Sequence, residues 1–236
     1  MPKTIKDRIE SLDWAGIAAA LDARGNATTG PLLTPKECAA LAALYAEDAP
    51  FRSRVVMARH GFGSGEYKYF AAPLPVTIAV LRERLYPHLA ETANRWQEQT
   101  GGKAYPARHA DYLKLCHAAG QKRPTPLLLK YEAEDYNCLH QDLYGELAFP
   151  LQATILLSDP EADFTGGEFL LTEQRPRMQS RGEVVTLRQG EAVFFAVNHR
   201  PVQGKRGIYR VTLRHGVSPL KSGRRFSLGI IFHDAK

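Results

Sequence analysis

The chain has 236 residues, a formal net charge of +6 and 44% hydrophobic residues, enough for a folded core and too apolar for wholesale disorder. No stretch approaches the roughly 18 consecutive apolar residues that cross a bilayer as a helix, which excludes a helical membrane span. Three cysteines, Cys38, Cys116 and Cys138, with no C-x-x-C spacing argue against a disulfide framework or a zinc site.

Met1–Asp7 carries no apolar run of the signal-peptide kind, and the expected location is cytoplasmic. Thr4 to Ala23 places Ile5, Ile9, Leu12, Ile17 and Leu21 at near-helical spacing and predicts a helix stopped by Gly25-Asn26. Thr34-Pro35-Lys36-Glu37 reads as a helix start, with Thr as N-cap, Pro at the first turn and Glu closing a capping box. Phe51–Phe70 mixes arginines, glycines and aromatics and predicts strand, loop, strand. A third helix is expected over Pro75–Thr100, with a kink or split at Pro87.

After Gly120 the pattern changes to short strands between turn signals. The predicted strands are Leu127–Glu132, Asn137–Asp142, Leu151–Ser158, Gly167–Thr172, Glu183–Leu187, Ala192–Val197, Ile208–Val217 and Arg224–His233. Eight such strands fit a jelly roll. The expected class is α+β: a jelly-roll core over 121–236, with a mainly helical N-terminal half, 1–120, packed on it as one structural unit. The strand-loop-strand segment, 51–70, lies inside that half.

His140-Gln141-Asp142, His215 and Arg225 carry the chemistry. On a strand, residues two apart share a face, so His140 and Asp142 reach one ion while Gln141 points away. Two His and one carboxylate on one face of an iron leave the opposite face open for a chelating co-substrate and O2. His199 and His233 compete with His215 as third ligand. His199 sits in what reads as a turn and His233 lies three residues from the C-terminus, in a segment expected to fray. His215 is preferred because Arg225 follows ten residues later on the next strand. Alternation there puts Arg225, Ser227 and Gly229 inward, and an inward Arg needs an anion. Cys138 is expected on the His140 face as a small hydrophobe of the pocket wall.

These residues resemble the motif set of the 2-oxoglutarate- and Fe(II)-dependent dioxygenase superfamily, whose core is a double-stranded β-helix. The match runs from Leu127 to Phe232. The resemblance implies that His140, Asp142 and His215 are the metal triad. It also implies that Arg225 and Ser227 bind the far carboxylate of 2-oxoglutarate, the R-x-S signature. Tyr131 resembles a tyrosine that prolyl-hydroxylase-like members use on the same co-substrate, and equally reads as core. Gly166-Gly167-Glu168-Phe169 resembles a turn of these hydroxylases and is sufficiently explained as a tight turn. The implied reaction uses Fe(II), 2-oxoglutarate and O2, with ascorbate as a reductant, and releases succinate and CO2.

The basic surplus favours polyanionic partners without requiring one. Within 51–70, cations such as Arg59 and Lys68 interleave with Tyr67 and Tyr69, the composition of a surface that tracks phosphates and stacks bases. More basic residues, at Lys114, Lys122, Arg123, Arg175, Arg177, Arg181, Lys205 and Arg206, are expected in part at the barrel rim. The segment is similar to one in a bacterial branch of the superfamily assigned to oxidative demethylation of damaged DNA. That branch implies single-stranded or damaged DNA as partner. An ordinary lid with solvated arginines explains the same residues. Two other readings stay open: a prolyl-type or small-molecule hydroxylase, and a metal-binding cupin-like sensor without catalysis. Oligomeric state is not legible in the sequence.

Overall fold

The computed structural model describes residues 3–160 and 162–236. Two antiparallel sheets face each other, and helices cover the outer side of the larger one. The larger sheet runs in the order β1 (Asn26–Pro31), β11 (Glu191–Ala196), β7 (Leu151–Leu156), β14 (Leu220–Ile230), β5 (Leu127–Glu132), β4 (Glu66–Phe70), β2 (Phe51–Val56), with β8 (Phe164–Gly166) also on β14. The smaller runs β10 (Arg181–Val185), β9 (Phe169–Gln174), β13 (Gly207–Val217), β6 (Tyr136–His140), β3 (Gly63–Ser64), with β12 (His199–Gly204) also on β13. This is the jelly roll that the strand pattern predicts.

Strand alternation splits the core into two layers. Leu128, Ala153, Ile155, Phe194, Leu228 and Ile230 point out of the larger sheet and pack on the helices. Tyr131, Leu156, Phe169, Phe195 and Val217 point between the sheets. The helices are α1 (Ile5–Glu10), α2 (Trp14–Arg24), α3 (Pro35–Ala43), α4 (Val76–Thr100) and α5 (His109–Ala118).

Several elements differ from expectation, each for a local reason. The Thr4–Ala23 helix is two helices, because Asp13 caps a new start by accepting from the Gly16 N–H at 2.9 Å. The Thr34 capping box is present, with Pro35 in the first turn. Pro87 does not split α4, which runs unbroken through it. A proline removes one intrahelical bond, and the buried stripe of Leu81, Leu85, Leu89 and Trp96 holds the helix across that gap. The N-terminal half also supplies four strands; β1 was not anticipated, since Asn26–Pro31 lacks apolar alternation and gains its order from pairing with β11. α5 carries too little periodic pattern to announce itself, and β8 is only three residues long. The turn read at Asn198–Pro201 is the start of β12, an edge strand on which Pro201 costs no ladder bond.

The C-terminus does not fray. Arg82 on α4 donates to the Asp234 carboxylate at 2.7 Å and to the carbonyls of Ile231 and His233 at 2.8 and 3.0 Å. His233 is fully buried, its Nδ1 accepting from the Phe149 N–H at 3.2 Å. Burial, together with the nearby Arg82 guanidinium, pulls the pKa of both His109 and His233 down to about 4. In the unfolded chain each titrates near 6.5. The unfolded state therefore binds more protons between those values, and stability falls as pH drops through that window. Urea unfolding is expected to lose roughly 3–5 kcal/mol between pH 6.5 and 4.5, a loss that His233→Gln reduces. A flat profile over this range would contradict the assignment of these two histidines as neutral and buried.

Candidate active site

β6 and β13 are paired so that His140 lies opposite His215, with ring centroids 4.2 Å apart. Asp142 sits two residues beyond the end of β6, not on the strand as expected. The chain leaves the ladder at Gln141, whose amide instead donates to the Leu213 carbonyl at 2.7 Å. The Asp142 carboxylate still turns inward: Oδ1 lies 3.5 Å from His140 Nε2 and Oδ2 lies 3.3 Å from His215 Nε2. One donor atom from each of the three residues falls within 4.8 Å of the other two. Among the described residues, His199 and His233 do not join this cluster.

Protonation suits the geometry. His140 Nδ1 donates to the Cys138 carbonyl at 2.8 Å, which turns Nε2 toward Asp142 as the ring nitrogen a metal would take. Burial alone would raise the Asp142 carboxyl, but the two imidazoles hold it well below the usual range. Tyr144 donates to Asp142 Oδ1 at 2.6 Å; burial and the carboxylate push its phenol well up, so it stays a donor. Tyr144 was missed at the sequence level, where its only signal was a position two residues after Asp142.

Arg225, Ser227 and Gly229 all face the space between the sheets, as alternation predicts. Arg225 is 2% exposed, its Nε has no partner, and no acidic side chain among the described residues forms an ion pair with it. Its one polar contact is from Nη1 to Ser227 Oγ at 3.2 Å. The guanidinium lies 5.6 Å from the Tyr131 ring centroid and 5.9 Å from that of Phe164. Tyr131 is fully buried, and burial raises its phenol, which stays protonated at neutral pH. Asn137 donates to that phenol oxygen at 3.4 Å. Gly166 and Gly167 occupy left-handed conformations, φ 72° and 61°, against β14, which makes this motif a tight turn packed on the Arg225 strand.

The cluster and Arg225 open into one cavity of about 350 Å³, lined also by Tyr67, Leu127, Leu129, Gln152 and Thr154. Gly61 and Phe62 reach its mouth, where the exposed Phe62 ring stacks on His60 at 5.3 Å. The expected substrate residues separate. Tyr67 lines the cavity, and Tyr69 is buried behind it, edge-on to Tyr144 and beneath the Arg52 guanidinium. Arg59 is exposed in the loop that carries His60. Lys68 points away: it is buried and donates to Asp48 and to the carbonyls of Tyr45 and Glu47 at 2.8–3.0 Å. Arg54 is spent on Glu66.

Cys138 lines the cavity, as expected, and is exposed there. None of the eight further basic residues, some of which were expected at the rim, lines the cavity. Lys205 and Arg206 occupy the β12–β13 hairpin, about 30 Å of strand from His215. Lys114 pairs with Asp111 on α5, and Arg175 with Glu173.

A jelly roll that presents a His-Asp-His cluster beside a buried arginine is the architecture of the 2-oxoglutarate- and Fe(II)-dependent oxygenases, and the chain is an oxidoreductase of that superfamily. Residues 65–235 match the Oxygenase-NA family, described as an oxygenase catalysing oxidative methylation of damaged DNA, and the chain belongs to this family. An uncharacterized protein of Mycobacterium tuberculosis strain H37Rv is 53% identical over 167 residues, which span 70% of this chain and 72% of that one. The fold is similar to that of a 2OG-Fe(II) oxygenase family oxidoreductase from Burkholderia pseudomallei, at TM-score 0.55 and 15% identity over 94% of this chain and 92% of the other. It is also similar to a Trichoplax adhaerens prolyl hydroxylase solved with a hypoxia inducible factor peptide fragment, at TM-score 0.58 and 13% identity over 94% and 89%. No helix among the described residues is long and apolar enough to cross a membrane.

The side chains present fit both groups that this class employs. Two neutral imidazole nitrogens and a carboxylate suit a divalent iron. A buried guanidinium that forms no ion pair among the described residues suits the far carboxylate of a diacid.

If Lys68 is an internal anchor, Lys68→Met should cost about 1–3 kcal/mol in unfolding free energy by stranding two carbonyls. It should leave the salt dependence of nucleic-acid affinity unchanged. A reduced salt slope with unaltered stability would restore Lys68 to the binding surface.

Proposed function

We propose that this oxygenase removes methyl groups from alkylated, single-stranded nucleic acid by oxidative demethylation, with Fe(II) held by His140, Asp142 and His215. The observation that carries the reaction class is the buried Arg225, which forms no ion pair among the described residues and lines the same cavity as the cluster. Its fork is read as the seat of the far carboxylate of 2-oxoglutarate. Ser227 adds a hydroxyl there, and the protonated Tyr131 phenol adds a donor beside it. Tyr144 holds Oδ1 of Asp142, which leaves Oδ2 as the oxygen free to ligate.

Iron with 2-oxoglutarate and O2, when bound, supplies oxidation of a substrate C–H bond, with succinate and CO2 as co-products. Hydroxylation of an N-methyl group gives an N–CH2OH that releases formaldehyde and restores the N–H. The substrate class is supported by the family's description and by the aromatic mouth, where His60, Phe62 and Tyr67 offer stacking faces. Exclusion of bulk water falls to Leu127, Leu129 and Phe169, which wall the cavity.

The test is succinate release from 2-oxoglutarate with Fe(II) in air, with and without methylated single-stranded DNA. Stimulation by the methylated oligonucleotide, abolished in His140→Ala, is expected. Stimulation by a proline-containing peptide, with none by nucleic acid, would overturn the substrate class and leave a hydroxylase. No turnover with iron bound would favour a sensor.

A further inference from the structure

The cavity contains a second polar side chain without a partner, far from Arg225. Along β7, Ala153 and Ile155 face the helices while Gln152 and Thr154 line the cavity. Gln152 is 3% exposed, and its Oε1 meets no donor among the described residues. Register fixes its place: Leu156 lies beside Ser227 and Thr154 beside Gly229, so Gln152 falls two residues further along. That is roughly 20 Å along the strand direction from Arg225, beyond the reach of a five-carbon diacid anchored there. A buried amide oxygen with an empty acceptor site is costly unless a ligand supplies the donor. The in-register neighbour of Gln152 on β11 is Phe195, whose ring lies 4.6 Å from that of His215, so Gln152 stands beside a residue in contact with the cluster.

We propose that Gln152 is the residue that reads the substrate base, and that the base it prefers is adenine. This rests on the nucleic-acid reading above. The amide accepts from the exocyclic amino group on Oε1 and donates from Nε2 to N7, the bidentate pairing of glutamine with adenine. Methylation at N1 leaves that edge free, so one grip serves the damaged base while its methyl group is turned elsewhere. Thr154, next on the same face, adds a hydroxyl at that end of the cavity.

The experiment compares two single-stranded oligonucleotides, one carrying 1-methyladenine and one carrying 3-methylcytosine, in the full-length iron-loaded protein. Formaldehyde release gives kcat/KM, and equilibrium titration gives 2-oxoglutarate affinity. Gln152→Leu, which keeps the shape and removes both hydrogen-bonding groups, is expected to lower kcat/KM on the methyladenine strand by about 10- to 100-fold with 2-oxoglutarate affinity preserved. Gln152→Glu keeps only the acceptor and is expected to shift preference toward methylcytosine, whose amino group a carboxylate accepts. An unchanged kcat/KM in Gln152→Leu, or an equal loss on both strands in Gln152→Glu, overturns the proposal alone. Loss of 2-oxoglutarate affinity in Gln152→Leu overturns it as well, by making the residue structural. If neither oligonucleotide stimulates the unaltered protein, the nucleic-acid reading fails and this inference falls with it.

Discussion

A guanidinium taken almost wholly out of water, with no ion-paired carboxylate among the described residues, is the constraint on which the cavity depends. Desolvating such a charge costs several kcal/mol, and folded chains recover it with an ion pair. Here, among the described residues, Arg225 meets a serine hydroxyl and the faces of Tyr131 and Phe164. Those aromatic faces offset part of the cost and hold the fork in place without neutralising it. The same protein pairs its other buried arginines, Arg82 with Asp234 and Arg200 with Glu173. Arg225 is thus the exception, in the one cavity that also holds the His-Asp-His cluster.

The two sheets make this arrangement rigid. Arg225 lies on β14, between β5 and β7 in the larger sheet, while His140 and His215 lie on paired strands of the smaller one. The distance between cation and cluster is therefore set by sheet-to-sheet packing through Phe169, Phe195 and Val217. Helices on the outer face bury Leu228 and Ile230, the residues that alternate with Ser227 and Gly229, and so fix which way Arg225 points. The helical half serves chemistry through this packing, and through the 51–70 segment that brings Tyr67 and Phe62 to the cavity.

Strand alternation alone placed Arg225, Ser227, His140 and His215 correctly on inward faces, because a period of two leaves only two choices. Asp142 reached the cluster by another route, a break from the strand stabilised by Tyr144, which alternation does not foresee. Residues that depend on tertiary neighbours were less legible. Lys68 and Tyr67 are adjacent in a composition that looks uniformly cationic and aromatic, yet one faces the cavity and the other is tied beneath the outer surface by Asp48. Basic residues dispersed along the chain were expected in part at the rim, but none of them lines the cavity, and Lys205 and Arg206 fall at the far hairpin. Gln152 sits in a run, Leu151–Leu156, that is buried throughout, and only sheet register reveals that its amide faces the cavity.

The measurement that bears most directly on the account is the affinity of the Mn(II)-loaded protein for 2-oxoglutarate against 2-oxobutyrate, a keto acid without the far carboxylate. The comparison is made in the unaltered chain and in Arg225→Leu. The account predicts a strong preference for 2-oxoglutarate that collapses in the variant, while 2-oxobutyrate binds both proteins alike. Equal affinity for the two keto acids in the unaltered chain, or a preference that survives Arg225→Leu, would contradict it.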